Sequence, residues 1–169
     1  IDWSYVYIKI EVSAMSAHQS FKLTKNGSTY ASKTLSGNSN MTLYSGSLSS
    51  GEYELTYIGN YKANLFAARR TFTYKYRFEV DKTNPSYTLK AGGSTISSGG
   101  YTNKQIVYTA SDTNFDAIRY KKPTSSSYTT YYSTSYTVPA TDANNGKWYF
   151  YARDDMDNTS TTVSVYLDT

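Results

Sequence analysis

The chain is 169 residues long, 38% hydrophobic and 18% charged, yet 17% aromatic with 20 Tyr, which excludes a disordered chain. Cysteine is absent and His18 is the single histidine, which excludes disulfides, thiol catalysis and zinc sites built on several histidines, and leaves any Ser-His mechanism to His18 alone. The net charge of +4 comes from scattered Lys and Arg, with Arg69-Arg70 and Lys121-Lys122 the densest groups, which argues against a nucleic-acid binder; no apolar run approaches the ~18 residues of a membrane span.

Ser and Thr fill 47 positions and Leu only 8, so composition favours pleated strands over helices. Val6, Ile8, Ile10 and Val12 alternate with Tyr5, Tyr7, Lys9 and Glu11, the period of a half-buried strand. Phe21 to Thr24 leads into Lys25-Asn26-Gly27-Ser28, where Asn-Gly supplies the positive φ angles that a tight hairpin needs. A Ser/Asn/Gly-rich stretch from Leu35 to Ser50 contains a short strand at Met41-Thr42-Leu43. Tyr53, Leu55 and Tyr57 share one face of the next strand. Residues 59–70 read as irregular, and Thr71 to Val80 as a long strand with Phe72, Tyr74, Tyr76, Phe78 and Val80 on one face. Asp81-Lys82-Thr83-Asn84-Pro85 ends that strand, because proline cannot donate to a ladder and restricts the residue before it. The domain boundary is placed here, giving domains 1–82 and 83–169.

The second half follows the same grammar. Tyr87 to Lys90 is a short strand, residues 91–103 a Gly/Ser loop, and Ile106, Tyr108 and Ala110 alternate up to Asp112. Ile118 to Lys121 is a strand ending near Pro123, Ser125 to Tyr132 a hairpin region, and Tyr136 to Pro139 a strand end. Trp148, Phe150 and Ala152 alternate with Tyr149 and Tyr151, which places Trp148 in the core. Asp154 to Asn158 is an acidic turn, and Val163, Val165 and Leu167 close the chain.

The halves also share motifs. Gly51-Glu52-Tyr53-Glu54-Leu55 matches Gly146-Lys147-Trp148-Tyr149-Phe150, and Val80-Asp81-Lys82-Thr83 matches Leu167-Asp168-Thr169. About seven short strands per ~85 residues predict an all-β chain of two tandem immunoglobulin-like β-sandwich domains, the first with an insertion near 59–70. These residues resemble the bacterial immunoglobulin-like (Big-type) repeats of cell-surface and secreted proteins. The Gly-x-aromatic strand, the Asp-containing turn with Asn158 near its end and the Asp-Lys-Thr-x-Pro joint carry the resemblance. The chain departs from that pattern at 59–70 and at Met156-Asp157.

The resemblance implies a non-catalytic extracellular spacer, adhesion-related, whose partners are neighbouring repeats of the same chain. No signal peptide is visible, and Ile1 opens directly into a strand-like stretch, so the expectation is a mature or cut-out piece of a longer array. The alternatives are a module binding glycan or host protein, and an accessory domain of a secreted glycosidase.

Two groups of candidate site residues follow. Tyr128, Tyr131, Tyr132 and Tyr136 stand in a Ser/Thr cluster, and tyrosine is a rigid amphipathic contact residue; the competing role is to fill or cover the two faces of a sheet. Asp112, Asp116, Asp154, Asp155 and Asp157 offer hard oxygen ligands for calcium, since in a sandwich the turns after Asp112 and Asp154 fall at one end. Their spacing is not an EF-hand loop, and the competing role is to satisfy local backbone donors. No other cofactor and no membrane insertion is expected. No enzyme is read: His18 stands in a Ser-rich connection, and Asp154 and Asp155 are adjacent, so they point to opposite faces of a strand. A Lys-Asn crosslink is not expected either, because 71–80 and 159–167 lack Asn.

Overall fold

The computed structural model describes residues 6–10, 19–35, 41–61, 68 and 70–169. Trp3, His18 and most of the 59–70 insertion lie outside the described residues. The described residues are all-β apart from one 3-10 turn, and the chain divides into two compact units, Ile1–Lys82 and Thr83–Thr169.

In the first unit the elements are β1 (Val6–Ile10), β2 (Gln19–Lys25), β3 (Ser28–Leu35), β4 (Met41–Gly46), β5 (Gly51–Tyr61) and β6 (Arg70–Val80). One antiparallel sheet has the order β3-β2-β5-β6, and β1 pairs with β4 in another. Phe21, Leu23, Tyr53 and Val80 from the larger sheet share a core with Leu43 of β4 and Leu48 after it. The Asn26-Gly27 turn forms as expected. Both residues have positive φ, 48° and 78°, and Lys25 pairs with Ser28 across it. Asn26 also ties the hairpin to β5: its N–H donates to the Glu52 carbonyl at 2.8 Å, and its Oδ1 accepts from the Glu52 N–H at 2.9 Å.

β6 differs from a uniformly buried face. Its alternation is intact, but Phe72 and Phe78 are half-buried, while Tyr74 and Tyr76 are each 67% exposed. Among the described residues β6 is an edge strand, so the ring face there has a neighbour on one side only. Tyr74 lies against Tyr57 at 6.4 Å and Tyr76 against Phe78 at 6.0 Å.

In the second unit the elements are β7 (Ser86–Ala91), β8 (Ser94–Thr95), β9 (Gly100–Thr102), β10 (Ile106–Ser111), β11 (Phe115–Lys121), β12 (Thr129–Tyr131), β13 (Ser135–Val138), β14 (Gly146–Asp154) and β15 (Val163–Leu167). They form two sheets, β13-β10-β7-β8 and β12-β11-β14-β15-β9. The pairings are antiparallel except β15 with β9, which is parallel. Ile106 and Tyr108 from one sheet and Ile118, Trp148, Phe150 and Val165 from the other meet in a single core. Two facing sheets with this order have the arrangement of an immunoglobulin-like sandwich.

Burial on β14 alternates strictly, with Trp148, Phe150, Ala152 and Asp154 inward and Lys147, Tyr149, Tyr151 and Arg153 outward. The Trp148 indole N–H is satisfied by the Asn144 carbonyl at 2.8 Å, so a polar handle sits in the core without an unpaired donor. The hairpin region expected over Ser125 to Tyr132 forms the loop and return strand of a hairpin with β11: β12 runs back antiparallel along it after residues 122–128. β12 pairs with β11 and β13 with β10, so the chain changes sheets between Tyr131 and Ser135.

Candidate functional site

The end of the second unit where β10 passes into β11 and β14 into its outgoing turn gathers most of the acidic candidates. Asp112 accepts the Asn114 N–H at 2.8 Å, closing a tight turn. Asp154 is 1% exposed. Its Oδ1 accepts the Met156 and Asn158 backbone N–H groups at 2.9 and 2.8 Å, and its Oδ2 accepts Asn158 Nδ2 at 2.7 Å. The Asp155 N–H donates to the Asn114 carbonyl at 2.8 Å, joining the two turns. A short chain-reversing segment thus closes around one buried carboxylate. Ser160 completes it from the far side: Ala152 N–H donates to Ser160 Oγ at 2.8 Å, and the Tyr108 hydroxyl lies 3.1 Å from the same oxygen.

The five acidic candidates do not converge as a set. Carboxylate oxygens of Asp112 and Asp154 come within 4.8 Å of each other. Asp116 instead takes both Nε (2.9 Å) and Nη2 of Arg153. That contact holds the Arg153 guanidinium above its ordinary pKa. Asp155 and Asp157 are exposed, Asp157 at 3.6 Å from Arg153 with a positive φ of 64°. Calcium at this end would have Asp112 and Asp154 as carboxylate ligands, and it would compete with the three donors already on Asp154.

The four candidate tyrosines fall into four different environments. Tyr136 leans into the core, 4.2 Å from the Tyr120 ring and 6.2 Å from Phe150, and burial pushes its hydroxyl up from the ordinary tyrosine value. Tyr131 meets Tyr136 edge-on at 5.0 Å, at the rim of that core. Tyr132 is 77% exposed at the sheet change. Tyr128 belongs to the opposite, outward side of the five-stranded sheet, where it meets Tyr151 edge-on at 5.0 Å. Burial raises its hydroxyl too.

That outward side carries an arrangement the sequence reading missed. Lys121 Nζ lies 4.4 Å from the Tyr149 ring centroid and 5.4 Å from that of Tyr128. Lys147 Nζ lies 5.1 Å from both Tyr149 and Tyr166. Tyr166 in turn stacks on Tyr101 at 4.7 Å with 9° between the rings. Tyrosine and lysine therefore interleave across β11, β14, β15 and β9. Contact with Tyr149 holds the Lys147 ammonium above its ordinary pKa. The strand parity of Lys147, Tyr149 and Tyr151 was readable, but their neighbours on β11, β15 and β9 follow only from the pairing.

The first unit has a groove of about 950 Å³ over the side of β2, β5 and β6 facing away from its core, lined by Lys22, Thr24, Glu54, Thr56, Lys75 and Arg77 among others. Three of its charges are paired in place. Glu54 accepts from Lys75 Nζ and Arg77 Nε, each at 2.8 Å, and those two cations hold its carboxyl down at about 2. No helix among the described residues is long and apolar enough to cross a membrane.

No protein-family model and no curated protein matches the chain. Among solved structures it is similar to an amphioxus IgVJ-C2 molecule, with 12% identity over 98% of this chain and 97% of that one and a TM-score of 0.48. It is also similar to fibronectin(III)-like modules of CbhA from Clostridium thermocellum, with 17% identity over 98% of this chain and 86% of that one and a TM-score of 0.33. With both TM-scores below 0.5, the fold rests on the strand order and registers above rather than on either likeness.

Proposed function

We propose that the chain is a non-catalytic structural module, two immunoglobulin-like sandwiches in tandem from an extracellular surface or secreted protein, acting as a spacer in adhesion. The observation that carries this reading is the joint. β6 ends at Val80 and β7 begins at Ser86, so only the five residues Asp81–Pro85 connect two compact units. Five residues reach at most ~18 Å, and Pro85 removes one freely rotating φ from them. A five-residue connection leaves little slack between two units in series, which is what a spacer needs and a long flexible tether lacks. The turn carboxylates support the same reading, because Asp112 and Asp154 serve the backbone of their own loops.

Pulling the full chain by its ends tests it. The expected trace has two separate unfolding events, releasing on the order of 250–300 Å each from residues 1–82 and 83–169 at up to ~3.6 Å per residue. A single event for the whole chain, or gradual extension without a force peak, overturns the spacer reading. A second reading, a glycan- or protein-binding module, is favoured by the interleaved tyrosines and lysines on the second unit.

A further inference from the structure

We infer that the outward side of the β12-β11-β14-β15-β9 sheet is a binding surface for an acidic polysaccharide, one whose sugars carry carboxylate or sulfate groups. This goes beyond the spacer reading and does not depend on it. Its elements are the two lysines Lys121 and Lys147 and the rings of Tyr128, Tyr149, Tyr166 and Tyr101.

The charge pattern comes first. Among the described residues neither lysine forms an ion pair, and nor does Arg119 on the same side of β11, while Asp116 on this face is spent on Arg153. The face therefore offers cations without local counter-ions. Each ammonium rests against tyrosine rings, which offset some of the cost of ordering the lysine chain, and Lys147 also hydrogen-bonds to Tyr149 and Tyr166. An ammonium has three donors, so donors remain for an incoming anion. Lys121 pairs across the strands with Tyr149, and Lys147 lies two residues before Tyr149 on β14, so the two lysines are diagonal neighbours with Cβ atoms ~7–8 Å apart.

The aromatic pattern comes second. Tyr101 is 74% exposed and stacked on Tyr166, so one of its ring faces is open for a sugar to lie on. The phenol hydroxyls along the row can donate to and accept from sugar hydroxyls. A duplex nucleic acid carries one charge per ~1.7 Å, far denser than two or three cations spread over this sheet can match. A sugar polymer with about one charge per residue fits the sparser array, and its hydroxyls fit the tyrosines between.

Binding of the full chain to immobilised polygalacturonate and to heparin tests the inference, with neutral dextran and oligo-dT alongside. The expected result is retention on one or both acidic polymers, weakening with added salt, and none on dextran. The K121A/K147A variant should bind about tenfold or more weakly, whereas K90A/K104A, which removes the same charge away from this face, should bind within about twofold of the parent. Circular dichroism spectra of both variants confirm that they fold. Equal loss in the two double variants would reduce the effect to net charge and overturn the inference. So would binding to neither acidic polymer, or tighter binding to oligo-dT. Retention on polygalacturonate alone or on heparin alone assigns the anion as carboxylate or sulfate.

Discussion

Asp154 shows how much one side chain does at the acidic end of the second unit. A carboxylate that is 1% exposed is retained because three donors converge on it, two from the backbone of its own turn and one from Asn158. Replacing it with alanine leaves those donors without a partner in a closed space. Asp154→Ala should destabilise the second unit by about 2–4 kcal/mol, read as a shift in the urea midpoint. Asp154→Asn keeps Oδ1 for the two backbone N–H groups but sets its amide against Asn158 Nδ2, so it should fall between alanine and the parent. The same proteins melted in calcium and in chelator decide the other use of this carboxylate. A rise in Tm with calcium that Asp112→Ala abolishes assigns the pair to the ion, and identical melting assigns both to their turns.

Along the elements, β5 and β6 are joined by a register running from Gly51–Val80 to Tyr61–Arg70, and Glu54 adds a cross-strand charge cluster to it. Its carboxyl is held at about 2 against an ordinary 4.5. A depressed pKa means that the stabilisation is present above about 4.5 and is lost as pH falls through about 2. Thermal melts at stepped pH should show a steeper acid limb for the parent than for Glu54→Gln, and added salt should narrow the difference, since the cluster is open to solvent. Much at this scale was legible in the amino-acid sequence. Asn26-Gly27 could hardly be anything but a two-residue turn, and the parity of Trp148, Phe150 and Ala152 placed β14 inward before any pairing was known. The change of sheets after Tyr131 was not legible, because Ser, Thr and Tyr suit a hairpin and a crossover equally; the difference lies in which strands receive the hydrogen bonds. Nor was the exposure of Tyr74 and Tyr76, since alternation assigns a face but not what covers it. The lysine-tyrosine row stayed hidden for the same reason: Lys121, Tyr149 and Tyr166 are distant in sequence and meet through β11, β14 and β15.

For the molecule as a whole, the unusual term is the use of tyrosine where other sandwiches use leucine and valine. In the first unit the Tyr44 hydroxyl is raised to about 12, chiefly by its hydrogen bond with Tyr30, and burial raises Tyr53 and Tyr57. In the second, burial raises Tyr108 to about 12 despite the contact with Ser160, and it raises Tyr136 as well. All of these groups are neutral when protonated. Raising their pKa above the ordinary 10.0 means that the folded state disfavours ionisation, so stability is fully present below pH 10 and is lost as pH climbs through about 12. Alkali should therefore unfold both units, each from its own core. Tyrosinate absorbance should show a late stage well above pH 10, in which the raised hydroxyls such as Tyr44 and Tyr108 ionise together with loss of near-ultraviolet circular dichroism. Tyr108→Phe removes the ionisable group from the second core while keeping its ring, stacked at 5.3 Å on Phe150. It should cost about 1 kcal/mol near neutral pH through the lost partner of Ser160, yet shallow the alkaline loss of the second unit. A single-stage tyrosine titration at the ordinary value, with the fold intact, would show that these hydroxyls are open to water and that the cores are not built as described.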